Sequence, residues 1–397
     1  MGVHPFVICW LIFAGPLWAA IGAGWLSRVY HRKGLERASA RFVGGLGGGA
    51  FGPVFLVPVH FLTPDLRKWQ WKAGTGAALV LELFLLFALL QPQNLCVTNA
   101  NYVVNQILNG LSIGFIYALM GVGLTLIYSV QGIVNFAHGQ FYMLGGYISY
   151  YFLNSVGDVN PLLGIPIAGL FTAILGGLFE RLFLRPMHLG RVERPSEYAI
   201  LMTFGFGFLL EYTTLGVVGP FPKMVTQPYV NLPRLEIFHF LILPNRWVAG
   251  CVGVVLFLAL IYFLYRTWWG KALRAVSMNK MAASIAGINP LSMNTAAFSI
   301  GTLLVGMAGA ALIPIFSWVP GVGAKASTRC YVVTVLGGLG SVPGALLGGL
   351  ILGVVEALGA GCYPDPTKGA AYRDVFGLIV FALVLLLKPT GLFGRKV

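Results

Sequence analysis

The stretch NGLSIGFIYALMGVGLTLIYSVQGIVNFAHGQFYMLGGY, Asn109 to Tyr147, decides how the rest of the chain is read. It is a long apolar run, a short polar break, and a second run that opens with Asn135, His138 and Gln140. Amide and imidazole groups inside a membrane segment are costly, so they face protein or a water-filled path. The pattern points to a membrane protein that moves something across the bilayer.

Composition agrees. Of 397 residues, 57% are hydrophobic and only 10% charged, with a mean hydropathy of +0.82, which is more apolar surface than a soluble core can use. The apolar runs are continuous and close to the ~20 residues a helix needs to span a bilayer, unlike the short alternating segments of a barrel. The fold class is an all-α polytopic membrane protein. The formal charge of +14 comes from Lys and Arg in short loops between apolar runs, as cytoplasmic orientation signals require, so no nucleic-acid partner is implied. The cysteines, Cys9, Cys96, Cys251, Cys330 and Cys362, form no CxxC and have no His at ligand spacing. They read as packing residues with neither a metal site nor a disulfide framework. No GxxxxGK[ST] is present, so any ATP is bound by another chain.

Eight apolar segments follow the break at QPQNLCVTNAN: about 105–128, 133–153, 160–180, 197–218, 246–265, 294–318, 330–357 and 372–388. Arg181, Arg185, Arg191 and Arg194 mark one inner loop, and Arg266, Lys271, Arg274 and Lys280 another. For the basic C-terminal residues Arg395 and Lys396 to lie inside as well, one of the last three segments must enter and return. The glycine-broken 330–357 is the candidate, with 133–153 as its counterpart in a weak internal repeat. Residues 1–95 form a separate N-terminal membrane extension of two or three spans, with runs near 5–26, 42–62 and 73–90, and residues 96–397 are the main domain. The first run lacks a basic leader and is expected to be retained. Five basic residues between the first two runs against three between the next two favour three spans, which would deliver residue 105 to the cytoplasmic side. If 42–62 only dips in, residue 105 starts outside.

Three motifs in order, the Asn109–Tyr147 hairpin, VLGGLGSVPGALLGGLILGVVEAL from Val335 and PTGLFGR at 389–395, resemble the permease subunits of branched-chain amino acid ABC importers. The resemblance covers roughly 105–397 and none of the extension. It implies a path for branched-chain or other hydrophobic amino acids, although the family also includes urea and short-chain amide systems. It also implies a second related permease, two cytoplasmic ATPase subunits carrying ATP and Mg, a periplasmic or surface-tethered binding protein, and an inner (plasma) membrane location. This chain would be no enzyme and hold no cofactor. A stand-alone secondary transporter or channel is the competing reading, since broken helices and buried polar groups serve those equally well.

The candidate path residues are Asn135, His138 and Gln140 together with Gly337, Gly338, Gly340, Ser341, Pro343 and Gly344. The first three would alternatively cap a helix end at the break. The glycines would alternatively be close-packing sites. Many family members carry Glu where Gln140 stands, which argues against a proton-coupled role here. In the 266–290 loop, Lys271 and Arg274 lead to the small-residue run Ala282, Ala283 and then Gly287, with Pro290 as a stop, and the resemblance makes this the ATPase-coupling segment. Met281 stands where importers favour an acidic residue. Glu82, Glu211 and Glu356 sit in or beside apolar runs with no role assigned, and Phe204, Phe206 and Phe208 are read as lipid- or core-facing.

Overall fold

A computed structural model of the protein describes residues 96, 99–157, 159–230, 235–237, 240–242, 244–363, 366–388 and 390–394. The expectations for the extension, including its span count, Glu82 and Cys9, lie outside the described residues. Helices come in the order α1 (Ala100–Gln131), α2 (His138–Val156), α3 (Gly164–Phe179), α4 (Arg185–His188), α5 (Pro195–Val218), α6 (Pro244–Arg266), α7 (Trp268–Met278), α8 (Lys280–Ile285), α9 (Pro290–Leu312), α10 (Val322–Gly337), α11 (Val342–Gly361), α12 (Pro366–Gly369) and α13 (Arg373–Leu387). The only strands among the described residues are Leu235–Ile237 and Phe240–Ile242, a small antiparallel hairpin in the loop before α6. Six helical stretches are long and apolar enough to cross a membrane: Ala100–Gln131, Pro161–His188, Pro195–Val218, Pro244–Arg266, Pro290–Leu312 and Val342–Gly361. The protein is an all-α polytopic membrane protein.

The chain forms two compact units. The first contains, among described residues, Cys96, 99–107 and most of 356–389. Here one sequence expectation fails. Cys96 and Cys362 form a disulfide, and only Cys251 and Cys330 are free among the described cysteines. In the same unit the carboxylate of Glu356, fully buried, accepts from Arg373 Nε at 3.0 Å, which compensates a charge that burial alone would penalise.

The second unit, 108–355 with 390–397, holds the bundle. Small residues set its packing, as expected where helices cannot be driven together by a difference between side chains and lipid. A Cβ at Gly145 would overlap the backbone of Gly306, one at Gly176 the side chain of Thr302, and one at Gly349 the backbone of Ala118. These contacts seat α9 against α2 and α3, and α11 against α1.

Two segment boundaries differ from the sequence reading. The run 294–318 is not one helix: α9 ends at Leu312, and 313–321 is an irregular stretch before α10. Trp318, fully buried, fills that stretch and donates its indole N–H to Met143 O at 2.9 Å. Tyr229 Oη donates to Ala311 O at 2.8 Å, satisfying a carbonyl freed at the end of α9. The run 330–357 contains the end of α10, a turn at 338–341 and most of α11, so it is a helical hairpin rather than one broken segment.

Lys280 Nζ, in the basic loop, donates to Gln131 O at 3.3 Å, so α1 ends beside that loop. The 32 residues of α1 form one uninterrupted helix, roughly 48 Å long at 1.5 Å per residue.

Candidate translocation path

After Gln131 the chain does not turn outward. Gly132, with φ of +79°, reverses it, and residues 132–137 run back along α1 without helical structure. His138, the first residue of α2, lies beside Met120, with its ring Nε2 3.1 Å from Met120 O. Helix α2 thus begins about eleven residues, or roughly 16 Å, inside the end of α1.

This re-entrant segment is built from the predicted residues. Asn135 Oδ1 accepts from the Ala137 N–H at 3.0 Å, a local turn that sets up the start of α2, and Tyr331 Oη donates to Asn135 O at 3.3 Å. Asn135 therefore forms a turn just before α2, whose N-cap residue is Ala137 with no side-chain cap. His138 does something else. A carbonyl can only accept, so Nε2 carries the proton and Nδ1 is left as an acceptor. Among the described residues Nδ1 has no hydrogen-bond partner, and neither do Asn135 Nδ2 and Gln140 Oε1, although all three side chains are buried. Gln140 Nε2 donates to Glu211 Oε2 at 2.9 Å. Gly139 makes the crossing possible: its N–H donates to Ser327 Oγ at 3.1 Å, and a Cβ there would overlap the Gly323 carbonyl of α10.

The second group of predicted residues lies elsewhere along α1. Ser129 Oγ is 3.4 Å from Gly340 O, so the 338–341 turn is level with the end of α1, roughly 13 Å from the His138 level. The two groups do not form one site. Gly337 and Gly344 face each other with no room for a side chain on either, which closes α10 on α11. Gly338 and Gly340 adopt φ of +100° and +85°, conformations that L side chains rarely take. Ser341 Oγ accepts from the Gly344 N–H at 3.2 Å, and Pro343 occupies the first turn of α11. Pro343 therefore starts a helix and does not break one.

The motif at 389–395 completes this turn. Leu392 and Phe393 donate their N–H groups to Leu336 O and Gly337 O at 2.9 and 3.0 Å, satisfying carbonyls at the end of α10. Two stretches read separately in the sequence fold as one structural element.

The 266–290 loop forms two short helices. Thr267 Oγ1 caps α7 at the Gly270 N–H (3.1 Å), and Asn279 Oδ1 caps α8 at Met281 and Ala282 (2.9 and 3.0 Å). Gly287, at φ of +83°, ends α8, and Asn289 with Pro290 starts α9. Lys271 and Ala282 are exposed, Ala283 is buried, and the Arg274 guanidinium lies 4.4 Å over the Tyr265 ring. The exposed surface is apolar: Met278, Met281 and Ile285 are 87%, 77% and 85% accessible. Burial pushes the Lys280 amine below its ordinary pKa. A cleft of about 730 Å³ joins this loop to the turn, lined by Ser129, Tyr265, Arg274, Ser277, Gly340, Ser341, Pro343 and Phe393. No group of three or more His, Cys, Asp or Glu residues that could hold a metal occurs among the described residues.

Sequence reasoning left Glu211 without a role. The signal was there: Thr203, Gly207 and Glu211 recur every four residues, one stripe of a helix. Of the three phenylalanines on α5, Phe204 and Phe208 are exposed, whereas Phe206 stacks on Phe179 at 4.1 Å.

Residues 106–387 match the family model described as the branched-chain amino acid transport system permease component. The chain is 32% identical over 311 residues to the high-affinity branched-chain amino acid transport system permease protein BraD of Pseudomonas aeruginosa, covering 74% of this chain and 96% of that one. To LivH of Escherichia coli K12 it is 32% identical over 308 residues, with the same coverages. The Escherichia coli LivM permease matches at 26% identity over 272 residues, 61% of each chain. No solved structure matches.

Proposed function

Because the chain belongs to the branched-chain amino acid transport permease family, we propose that it is one of two permeases in an ATP-driven importer of the plasma membrane and lines the path for branched-chain or other hydrophobic amino acids. The observation that carries this reading is the re-entrant segment at 132–140. A helix that starts inside the bundle, with buried polar atoms left unpaired at its first turn, suits a path for polar ligands and is an expensive way to build a packed core. That both LivH and LivM resemble this chain supports a second, related permease as partner. The apolar tip of the α7–α8 loop supports docking of two ATPase subunits, which would carry the ATP and Mg, and a binding protein would deliver substrate from the opposite side. Basic residues at 181–194 and 266–280 support a cytoplasmic position for those loops. The Cys96–Cys362 bridge fits a segment that reaches an oxidising compartment.

Reconstituting the chain with a second permease, ATPases and binding protein tests this. Leucine uptake that requires ATP and the binding protein is expected. Uptake of urea or a short amide in its place would reassign the substrate. Positions 283 and 287 are poor probes of docking, since Ala283 is buried and Gly287 needs positive φ; Met281→Glu and Ile285→Glu are exposed and better. Each should lower stimulated ATP hydrolysis by about tenfold, the effect of placing a charge in an apolar contact. Unchanged hydrolysis in both would reject the loop as the docking site. We also propose that residues 1–95 are an accessory membrane module. In the same assay a chain beginning at residue 93 should retain uptake, and an assembled but inactive complex would place the extension in the mechanism.

A further inference from the structure

Helix α5 touches the bundle along one stripe only. Ala199, Thr203, Gly207 and Thr214 are buried, and Leu201, Phe204, Phe208, Leu209, Tyr212 and Val217 are exposed. Gly207 is the closest point: a Cβ there would lie 3.5 Å from Ala137 Cα, so the stripe rests directly on the 132–140 segment. One turn further along the same stripe stands Glu211, seven residues from the end of a membrane-spanning helix and thus roughly 10 Å inside it. A carboxylate at such a depth is disfavoured against lipid and belongs against protein or in a water-filled path.

Its only hydrogen bond among the described residues is from the neutral Gln140 amide, and no Lys or Arg among them forms an ion pair with it. Contrast Glu356, fully buried with Arg373, or Glu180, held by Thr295 Oγ1 at 2.5 Å. Gln140 is itself buried and directs its N–H to the carboxylate, leaving Oε1 as an unpaired acceptor. Glu211 is only half-buried, so it is not sealed inside this chain. The arrangement is an acceptor-rich position, fixed in place by an amide and lacking a cation. The complementary group is a cation with several donors and no acceptor, and the ammonium of an amino acid has that composition.

Resting on the importer reading above, we infer that Glu211, oriented by Gln140, is the binding residue that receives the α-ammonium group of the amino acid as it passes the start of α2. The assembled complex of two permeases, ATPases and binding protein in proteoliposomes tests this. With saturating leucine-loaded binding protein, Glu211→Gln should lower uptake by about tenfold or more, as loss of a charge-assisted hydrogen bond implies, while Glu211→Asp keeps part of it. The thermal midpoint of the complex and its assembly should remain near wild type. As a second measurement, Glu211→Cys in a Cys9→Ser, Cys251→Ser, Cys330→Ala background should react with a water-soluble methanethiosulfonate, and loaded binding protein with trapped nucleotide should change the rate. Wild-type uptake by Glu211→Gln overturns the inference. So does a Glu211→Cys thiol inert in every nucleotide state, or a loss of uptake that only follows lost assembly, since either places the carboxylate against lipid or in a structural contact with the second permease. The importer reading is judged separately on the wild-type complex: absence of uptake there overturns both, whereas wild-type uptake matched by Glu211→Gln overturns this inference alone.

Discussion

The chain is interrupted twice near the end of α1, at 132–137 and at 338–341, and the two interruptions are satisfied by opposite means. At 132–137 side chains do the work: Asn135 closes the turn, His138 reaches Met120 O, and Gln140 holds Glu211, with several buried polar atoms left over. At 338–341 the backbone does most of it, with Ser341 and Ser129 hydroxyls assisting: glycines allow α10 and α11 to touch, and Leu392 and Phe393 cap the carbonyls of Leu336 and Gly337. A break whose polar groups are fully paired with backbone is a structural joint. One that retains unpaired side-chain atoms has capacity for a ligand or water.

The sharpest way to break this distinction is to crowd the joint. Gly337→Leu or Gly344→Leu puts a side chain where backbone already lies, and overpacking of about 1–3 kcal/mol or more should abolish a monodisperse peak in detergent. A stable Gly337→Leu protein would mean that α10 and α11 need not be closed. A smaller effect is expected from ending the chain after Lys388. That removes two N–H donors, at about 0.5–1.5 kcal/mol each, and should lower the thermal midpoint and open 336–344 to proteolysis without preventing insertion. The smallest stability change belongs to the other break. His138→Leu loses the bond to Met120 O but also removes the unpaired Nδ1, so the two terms roughly offset, within about 1 kcal/mol, while leucine uptake falls steeply. If His138→Leu destabilises as much as Gly337→Leu, the first interruption is a joint as well.

Much of this architecture was legible because it is local. Glycine runs, the polar residues of 135–140 and the small-residue loop announce their conformations within a few positions. What was not legible depends on distant partners. Nothing near Cys96 or Cys362 signals a bond across 266 residues, and a lone Cys reads as a small hydrophobe. Glu211 gains its meaning from Gln140, 71 residues earlier. The irregular 313–321 stretch is hidden by its own apolarity, since Trp318 fills the gap that its missing helix would leave. Pro343 shows how position decides a proline's effect: in mid-helix it kinks, whereas at the first turn, where it stands here, it marks a beginning.

The cap supplied by Leu392 and Phe393 also has a bearing on how the protein is made. The carbonyls of Leu336 and Gly337 enter the membrane with the first arm of their hairpin, long before residues 392 and 393 have left the ribosome. During that interval the hairpin is inserted but unfinished, and only translation of the final segment closes it. Nonsense codons or tags placed within 389–394 should therefore yield inserted chains that quality-control proteases recognise as incomplete. For purification, an affinity tag is best kept clear of 390–394, so that the closing segment stays free to dock.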